Sequence, residues 1–264
     1  MNRLALALAY HGAAFHGWQL QPEARTVQGE LERALADFYG ESVRVWAAGR
    51  TDAGVHALGQ VAGWRPPRDY PPETVLRALE ARVPADLRLL RCAEVPADFH
   101  PRHSARGRSY RYLLREGDAL FQRDRTLIVE PGLDWSTIEA AAGLFVGHRD
   151  FAALGTAPRP GGSTVRRLTA CRLLRKPPFY LVEVAAEAFL YRMVRRIVGC
   201  LLALGRGELD AADLGALLDN LDRTQAPPPA PALGLYLQRI DYAEFAYTPD
   251  PGPPGLVIPE QERG

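Results

Sequence analysis

The chain has 264 residues, 47% hydrophobic and 24% charged, with a formal net charge of +1. That length allows one large domain or two modest ones of ordinary water-soluble composition. No apolar run approaches the roughly 20 residues of a spanning helix, and a near-neutral total gives no whole-chain attraction for a polyanion.

Leu4, Leu6, Leu8 and Tyr10 alternate with Ala5, Ala7 and Ala9, which predicts a strand apolar on both faces rather than a signal peptide. Residues 11–22 form a loop containing Phe15, His16, Gly17, Trp18 and Gln19. A helix over 26–39 follows, with Val27, Leu31, Ala34, Leu35 and Phe38 in one stripe, Thr26 as N-cap and Gly40 as stop. Strands over 42–48 and 55–64 flank a polar bend. A second helix begins near Pro72, with Val75, Leu76, Leu79 and Val83 inward and Pro84 at its end, before a strand over 86–95. This βαββαβ order implies an antiparallel or mixed sheet with helices on one face, an α+β fold.

The second half repeats the style without a sequence repeat. Residues 104–115 read as a strand alternating arginine with tyrosine. Ser136 and Glu139 form a capping box opening a helix. Strands over 168–174 and 179–186 make a hairpin turning at Lys176, Pro177 and Pro178, and a long helix spans 189–204. A short helix over 210–221, a proline-rich loop over 226–232 and a strand over 235–242 complete it. We divide the chain into residues 1–103, residues 104–247, and a Pro-rich tail, 248–264, with little fixed structure. Cys92, Cys171 and Cys200 have no metal-ligand or redox spacing, which suits a reducing cytoplasm.

Charge is segregated. Residues 99–115, 159–176 and 188–206 carry 15 of the 32 cations and none of the 31 acids, and Lys176 is the only lysine. A coding bias toward arginine explains the missing lysines but not the missing acids. Forked guanidinium groups on one surface suit phosphate and base stacking, the needs of a nucleic-acid binder.

The bend between residues 48 and 55 carries the most particular chemistry. Gly49 and Gly54 are placed to take unusual backbone angles, and Asp52 stands at the tip two residues after Arg50. A turn aspartate bonding its own backbone is the ordinary reading of such a residue. With a cation close by, an ionised Asp52 is a poor general base and a serviceable nucleophile. No second carboxylate lies near for paired acid–base hydrolysis. His56 reads as a packing and hydrogen-bonding residue. His100 and His103, beside Phe99 and Arg102, suit RNA contact better than metal binding. Tyr110 and Tyr112 share a strand face, for cross-strand packing or for stacking on a base. Among Arg192, Arg195 and Arg196 on an otherwise apolar helix, we expect Arg195 to pair with Asp52.

The bend, running from Gly49-Arg50-Thr51-Asp52 through Ala53-Gly54-Val55-His56 and on to Gly59-Gln60-Val61, resembles the catalytic motif of the tRNA pseudouridine synthase A family. Agreement extends to Phe15-His16-Gly17-Trp18-Gln19, Asp98-Phe99-His100-Pro101-Arg102, Arg108-Ser109-Tyr110-Arg111-Tyr112, Met193-Val194-Arg195, Ile197-Val198-Gly199 and Gly234-Leu235-Tyr236-Leu237. It covers about residues 3–242 in consistent order. The resemblance implies a pseudouridine-synthase fold, with a continuous mixed sheet and a catalytic cleft between two similar halves. It implies isomerisation of uridine to pseudouridine at positions 38, 39 and 40 of the tRNA anticodon stem-loop. Asp52 would be the nucleophile, on the sugar or on the base. Tyr110 would stack on the flipped uracil, Arg195 would hold Asp52 ionised, and Arg50 would support base flipping. Phe99, His100, Pro101, Arg102, His103 and Arg166 would contact the RNA. A homodimer is implied as well; a redox-neutral reaction that moves one base requires no cofactor, and no metal-ligand spacing is present in the sequence. The chain departs from the family pattern at His11, where an aspartate is usual, at Tyr191-Arg192, and in the Pro/Gly-rich loop 156–163.

Two rival classes remain in view: an RNA-binding module that does not need Asp52, and a carboxylate-nucleophile hydrolase that would release free base.

Overall fold

A computed structural model describes residues 3–253, 255 and 256. These residues form ten strands and five α-helices, with mixed strand pairing in two compact units. The first unit spans residues up to Arg108 and takes back 236–252; the second spans Ser109–Leu235 with the described residues after 252. The sequence places its boundary after His103, whereas the chain's own packing places it after Arg108 and returns the last strand to the first unit.

In the first unit, β1 (Arg3–Tyr10) lies between β3 (His56–Trp64) and β4 (Leu87–Val95), antiparallel to both. Leu4 to Tyr10 and all of β3 are buried, as the two-faced apolar pattern of β1 requires. The two-residue β2 (Trp46–Ala47) pairs with β3, and β10 (Leu235–Asp241) runs parallel to β3, with Tyr236 opposite His56. The strand expected from residue 42 is thus shorter. Val43 and Val45 are buried outside any ladder, so burial rather than pairing accounts for their apolar character. Helix α1 (Val27–Tyr39) has the expected ends: Thr26 accepts from the Gly29 N–H, and Gly40 is left-handed at φ 76°. Helix α2 (Pro72–Glu80) packs on β4.

In the second unit, β5 (Gly107–Glu116) pairs in parallel with β6 (Leu127–Val129). The hairpin of β8 (Val165–Lys176) and β9 (Phe179–Ala186) turns at Pro177 and Pro178, and β7 (Gly147–Asp150) extends it beyond β8. Glu183 on β9 is buried and ties two strands to its own, accepting from Arg111 Nε and Arg172 Nε, each at 2.7 Å. Helix α3 (Trp135–Ala142) begins one residue before the expected cap. Asp134 caps it through the Ser136 and Thr137 N–H groups, a stronger acceptor than the Ser136 hydroxyl. Helix α4 (Met193–Gly205) starts four residues later than expected, because Arg192 is left-handed at φ 60° and breaks the ladder. Helix α5 (Ala211–Asn220) has a capping box between Asp210 and Asp213.

The Pro-rich tail is not loose where it is described: Asp250 donates its N–H to Leu58 O and pairs with Arg88 at 2.9 Å. The remainder of the expected tail, residue 254 and 257–264, lies outside the described residues.

Candidate active site

Asp52 is half-buried between β2 and β3, and its carbonyl accepts from the Val55 N–H at 3.1 Å. The bend that carries it is built by the loop following β1. The Trp18 N–H donates to Thr51 O at 3.1 Å, and the Gly54 N–H donates to Phe15 O at 3.3 Å. The hydroxyls of Tyr10 and Thr51 bond at 2.8 Å, and Gln60 Nε2 donates to Gly49 O at 2.8 Å. Together these bonds reach residues 49, 51 and 54, on both sides of the carboxylate.

Two glycines permit this contact. A Cβ at Gly12 would lie 2.1 Å from Val55 O, and one at Gly17, which has φ 84°, would lie 2.6 Å from Thr51 O. Gly54 takes φ 78°, as expected of a bend glycine. Gly49 does not need its freedom: its φ is not positive, and a Cβ there would meet nothing within 4 Å.

The supporting loop is itself anchored. Arg25 grips Asp86 with two bonds, at 2.7 and 2.8 Å, and lies over the Phe15 ring at 4.3 Å. The Arg25 guanidinium, together with its field, holds the Asp86 carboxyl below the usual carboxylate range. Behind the bend, buried His56 accepts the Gly12 N–H on Nδ1 at 3.0 Å and stacks on Tyr236 at 4.6 Å. The acceptor role of Nδ1 leaves the ring proton on Nε2. His11, at the family's usual aspartate position, tilts against His56 with centroids 4.7 Å apart.

Arg50 is exposed beside Asp52. Of the residues expected to touch RNA, Phe99 and Pro101 are buried: Phe99 packs on Tyr242, and Pro101 gives its carbonyl to the Tyr242 hydroxyl at 2.6 Å. They hold the segment from inside, where a ligand cannot reach them. Arg102 and His103 are exposed and His100 is half-exposed; burial and then His103 push the His100 imidazole below its ordinary pKa. Arg108, to which no sequence pattern assigns a role, donates to Arg102 O at 2.8 Å and to Ala48 O at 3.4 Å, joining this segment to the strand that enters the bend.

The other candidates lie in the second unit. Tyr110 is half-buried on β5 with its ring edge-on to Phe189 at 5.1 Å, whereas Tyr112 is fully buried and donates its hydroxyl to Pro231 O. The shared strand face therefore divides into one partly accessible ring and one structural ring. Arg195 is half-buried on α4, and its Nε donates to Ala230 O at 2.7 Å while its carbonyl accepts the Ala230 N–H at 2.8 Å. That loop can lie so close because α4 has Gly199 there, where a Cβ would stand 2.3 Å from Pro228 O. Arg166 curls back onto Ser163 O and Val165 O at 2.9 and 2.6 Å.

The first unit thus holds a bend clamped by glycine contacts around one carboxylate, and the second holds a half-buried tyrosine and a tethered arginine. A family model described as tRNA pseudouridine synthase matches residues 6–104 and 141–243. Curated proteins named tRNA pseudouridine synthase A resemble the chain nearly end to end. That of Solidesulfovibrio magneticus is 44% identical over 96% of this chain and 95% of its own. That of Methylobacterium sp. is 42% identical over 96% and 100%, and that of Ruminiclostridium cellulolyticum 38% over 92% and 100%. A chain of a solved Cbf5-Nop10-Gar1 complex matches at a TM-score of 0.34 and 14% identity, covering 75% of this chain and 54% of that one, too remote to bear on the argument. The chain belongs to the tRNA pseudouridine synthase A family.

Proposed function

We propose that the protein isomerises uridine to pseudouridine in the anticodon stem-loop of tRNA, at positions 38, 39 and 40, with Asp52 as nucleophile. The observation that carries this reading is the construction of the Asp52 bend, in which main-chain bonds and two close glycine contacts fix a half-buried carboxylate. Catalysis by a positioned group needs such fixing, because a misplacement of about 1 Å costs on the order of 100-fold in rate.

The N1–C1′ bond breaks, the base turns, and C5 bonds to C1′; C5 gives up its proton and N1 takes one up, so no atom or electron is gained or lost overall. Attack by Asp52 on the sugar or on the base accommodates this balance equally. Tyr110, the partly accessible ring, stacks on the extruded uracil. Arg195 keeps the carboxylate ionised, and Arg50 supports flipping. Extrusion from a stem costs a few kcal/mol, which arginine contacts to phosphates offset. Arg102, His103 and Arg166 supply such contacts, in a homodimer acting in the cytoplasm. No helix among the described residues is long and apolar enough to cross a membrane.

The test is incubation with unmodified tRNA followed by chemical mapping of pseudouridine. Product at the anticodon stem-loop with unchanged RNA mass supports the reading, and released uracil would establish a hydrolase instead. Asp52→Asn should abolish product while tRNA binding survives; a variant that still forms pseudouridine would refute Asp52 as the nucleophile, and a wild type that binds tRNA without forming product would leave the RNA-binding module.

A further inference from the structure

We propose that Arg192, Arg196 and Arg223 form a site for one backbone phosphate of the tRNA, separate from the residues that handle the target base. The proposal rests on the function above and adds to it a place where the RNA chain is held.

Three segments converge there. Arg192 precedes α4 at φ 60°, ψ 10°, a conformation costing a non-glycine residue about 1 kcal/mol or more. Arg196 lies one turn on, its N–H donating to Arg192 O at 3.0 Å, so both side chains leave the same edge of the helix. Arg223 arrives from beyond α5 and bonds the Thr156 hydroxyl. Thr156 exchanges backbone bonds with Tyr191, the neighbour of Arg192, at 2.9 and 3.4 Å. Gly155 makes that approach possible, since a Cβ there would be 2.5 Å from the Leu190 Cβ.

The electrostatics favour an anion. Arg196 is pushed below the ordinary guanidinium pKa by burial, then by the fields of Arg223 and Arg192. Asp222, beside Arg223 in sequence, turns its carboxylate to Thr224 and Gln225 instead. The first turn of α4 has no side-chain cap and no acid, so its N–H groups and dipole add to the same attraction. Tyr191, 52% exposed, has the Arg192 guanidinium 5.0 Å from its ring centroid, a flat surface beside which a nucleotide can lie. Forked donors around a point are suited to a phosphodiester.

The experiment compares the wild type with the Arg192→Gln, Arg223→Gln double variant, measuring tRNA Kd across a salt series together with kcat and KM. The slope of log Kd against log salt should fall by about 1, the signature of one lost phosphate contact. KM should rise about tenfold with kcat within twofold, and the matching Arg→Lys double variant should recover most of the slope. An unchanged slope and KM would overturn the site. So would a lost kcat at constant KM, which would mean the pair acts by positioning Arg195. Inorganic phosphate at constant ionic strength should affect both proteins equally; selective, saturable competition in the wild type would mark a free-anion site and overturn the assignment to RNA. A protein that binds tRNA but makes no pseudouridine would sink the proposed function while the slope still reads this site.

Discussion

Gly12→Ala tests whether the bend's geometry is set from behind. The new Cβ would stand 2.1 Å from Val55 O and 2.5 Å from Val55 C, so restoring ordinary contact at 3.4 Å requires about 1.3 Å of movement. Both atoms are backbone, and no side-chain rotation relieves them. Val55 is three residues from Asp52, and the same Gly12 carries the N–H that His56 Nδ1 accepts. A displacement of that size predicts a kcat loss of about 100-fold, with stability reduced by about 1–3 kcal/mol through overpacking. Single-turnover pseudouridine formation and urea melts measure the two effects separately. Gly49→Ala is the control: it lies within the same motif but meets nothing within 4 Å, so stability should change by less than about 0.5 kcal/mol. A Gly12→Ala protein with kcat within threefold of wild type would refute the clamp.

Glu183→Gln leaves Arg111 and Arg172 without their shared charge in a buried position, and should cost about 3 kcal/mol in a denaturant melt. Asp86, whose carboxyl Arg25 holds low, adds stability that is complete above the unfolded value near 3.9 and is lost as pH falls through the lower folded value. Asp86→Asn should therefore flatten the acid limb of a stability–pH curve below about pH 4 and leave its neutral-to-basic shape alone. Burial pushes the thiols of Cys92, Cys171 and Cys200 up to about 12, so a thiol-reactive disulfide should label none in the native protein and all three after unfolding. Fast native labelling of any of them would contradict its burial.

Legibility in the sequence followed the range of the forces involved. Helix α1 is readable because both ends carry their own signals, Thr26 and Gly40, around an apolar stripe. Asp52 is readable because its neighbours within five residues are distinctive. The support behind it is not, since the approach of Gly12 to Val55 and the stacking of Tyr236 on His56 join residues far apart in sequence. At α3, Ser136 and Glu139 satisfy a local rule, but Asp134 offers the better acceptor and takes both N–H groups. The start of α4 is hidden because apolar periodicity continues through Leu190 while Arg192 adopts a conformation composition does not announce. Phe99 and Pro101 show the limit of motif reading: a residue can belong to a functional signature by holding the segment rather than by touching substrate.

The return of residues 236–252 to the first unit has a consequence for biosynthesis. During translation, the segment through Arg108 emerges with β1, β3 and β4 in hand, but β3 waits for its parallel neighbour until residues 109–235 have been made. Until Tyr236 settles on His56, the rear wall of the Asp52 bend is unfinished. A product terminated before Tyr236 therefore lacks the rear wall of the Asp52 bend, and the discontinuous connection makes completion of that bend a late event in the life of the nascent polypeptide.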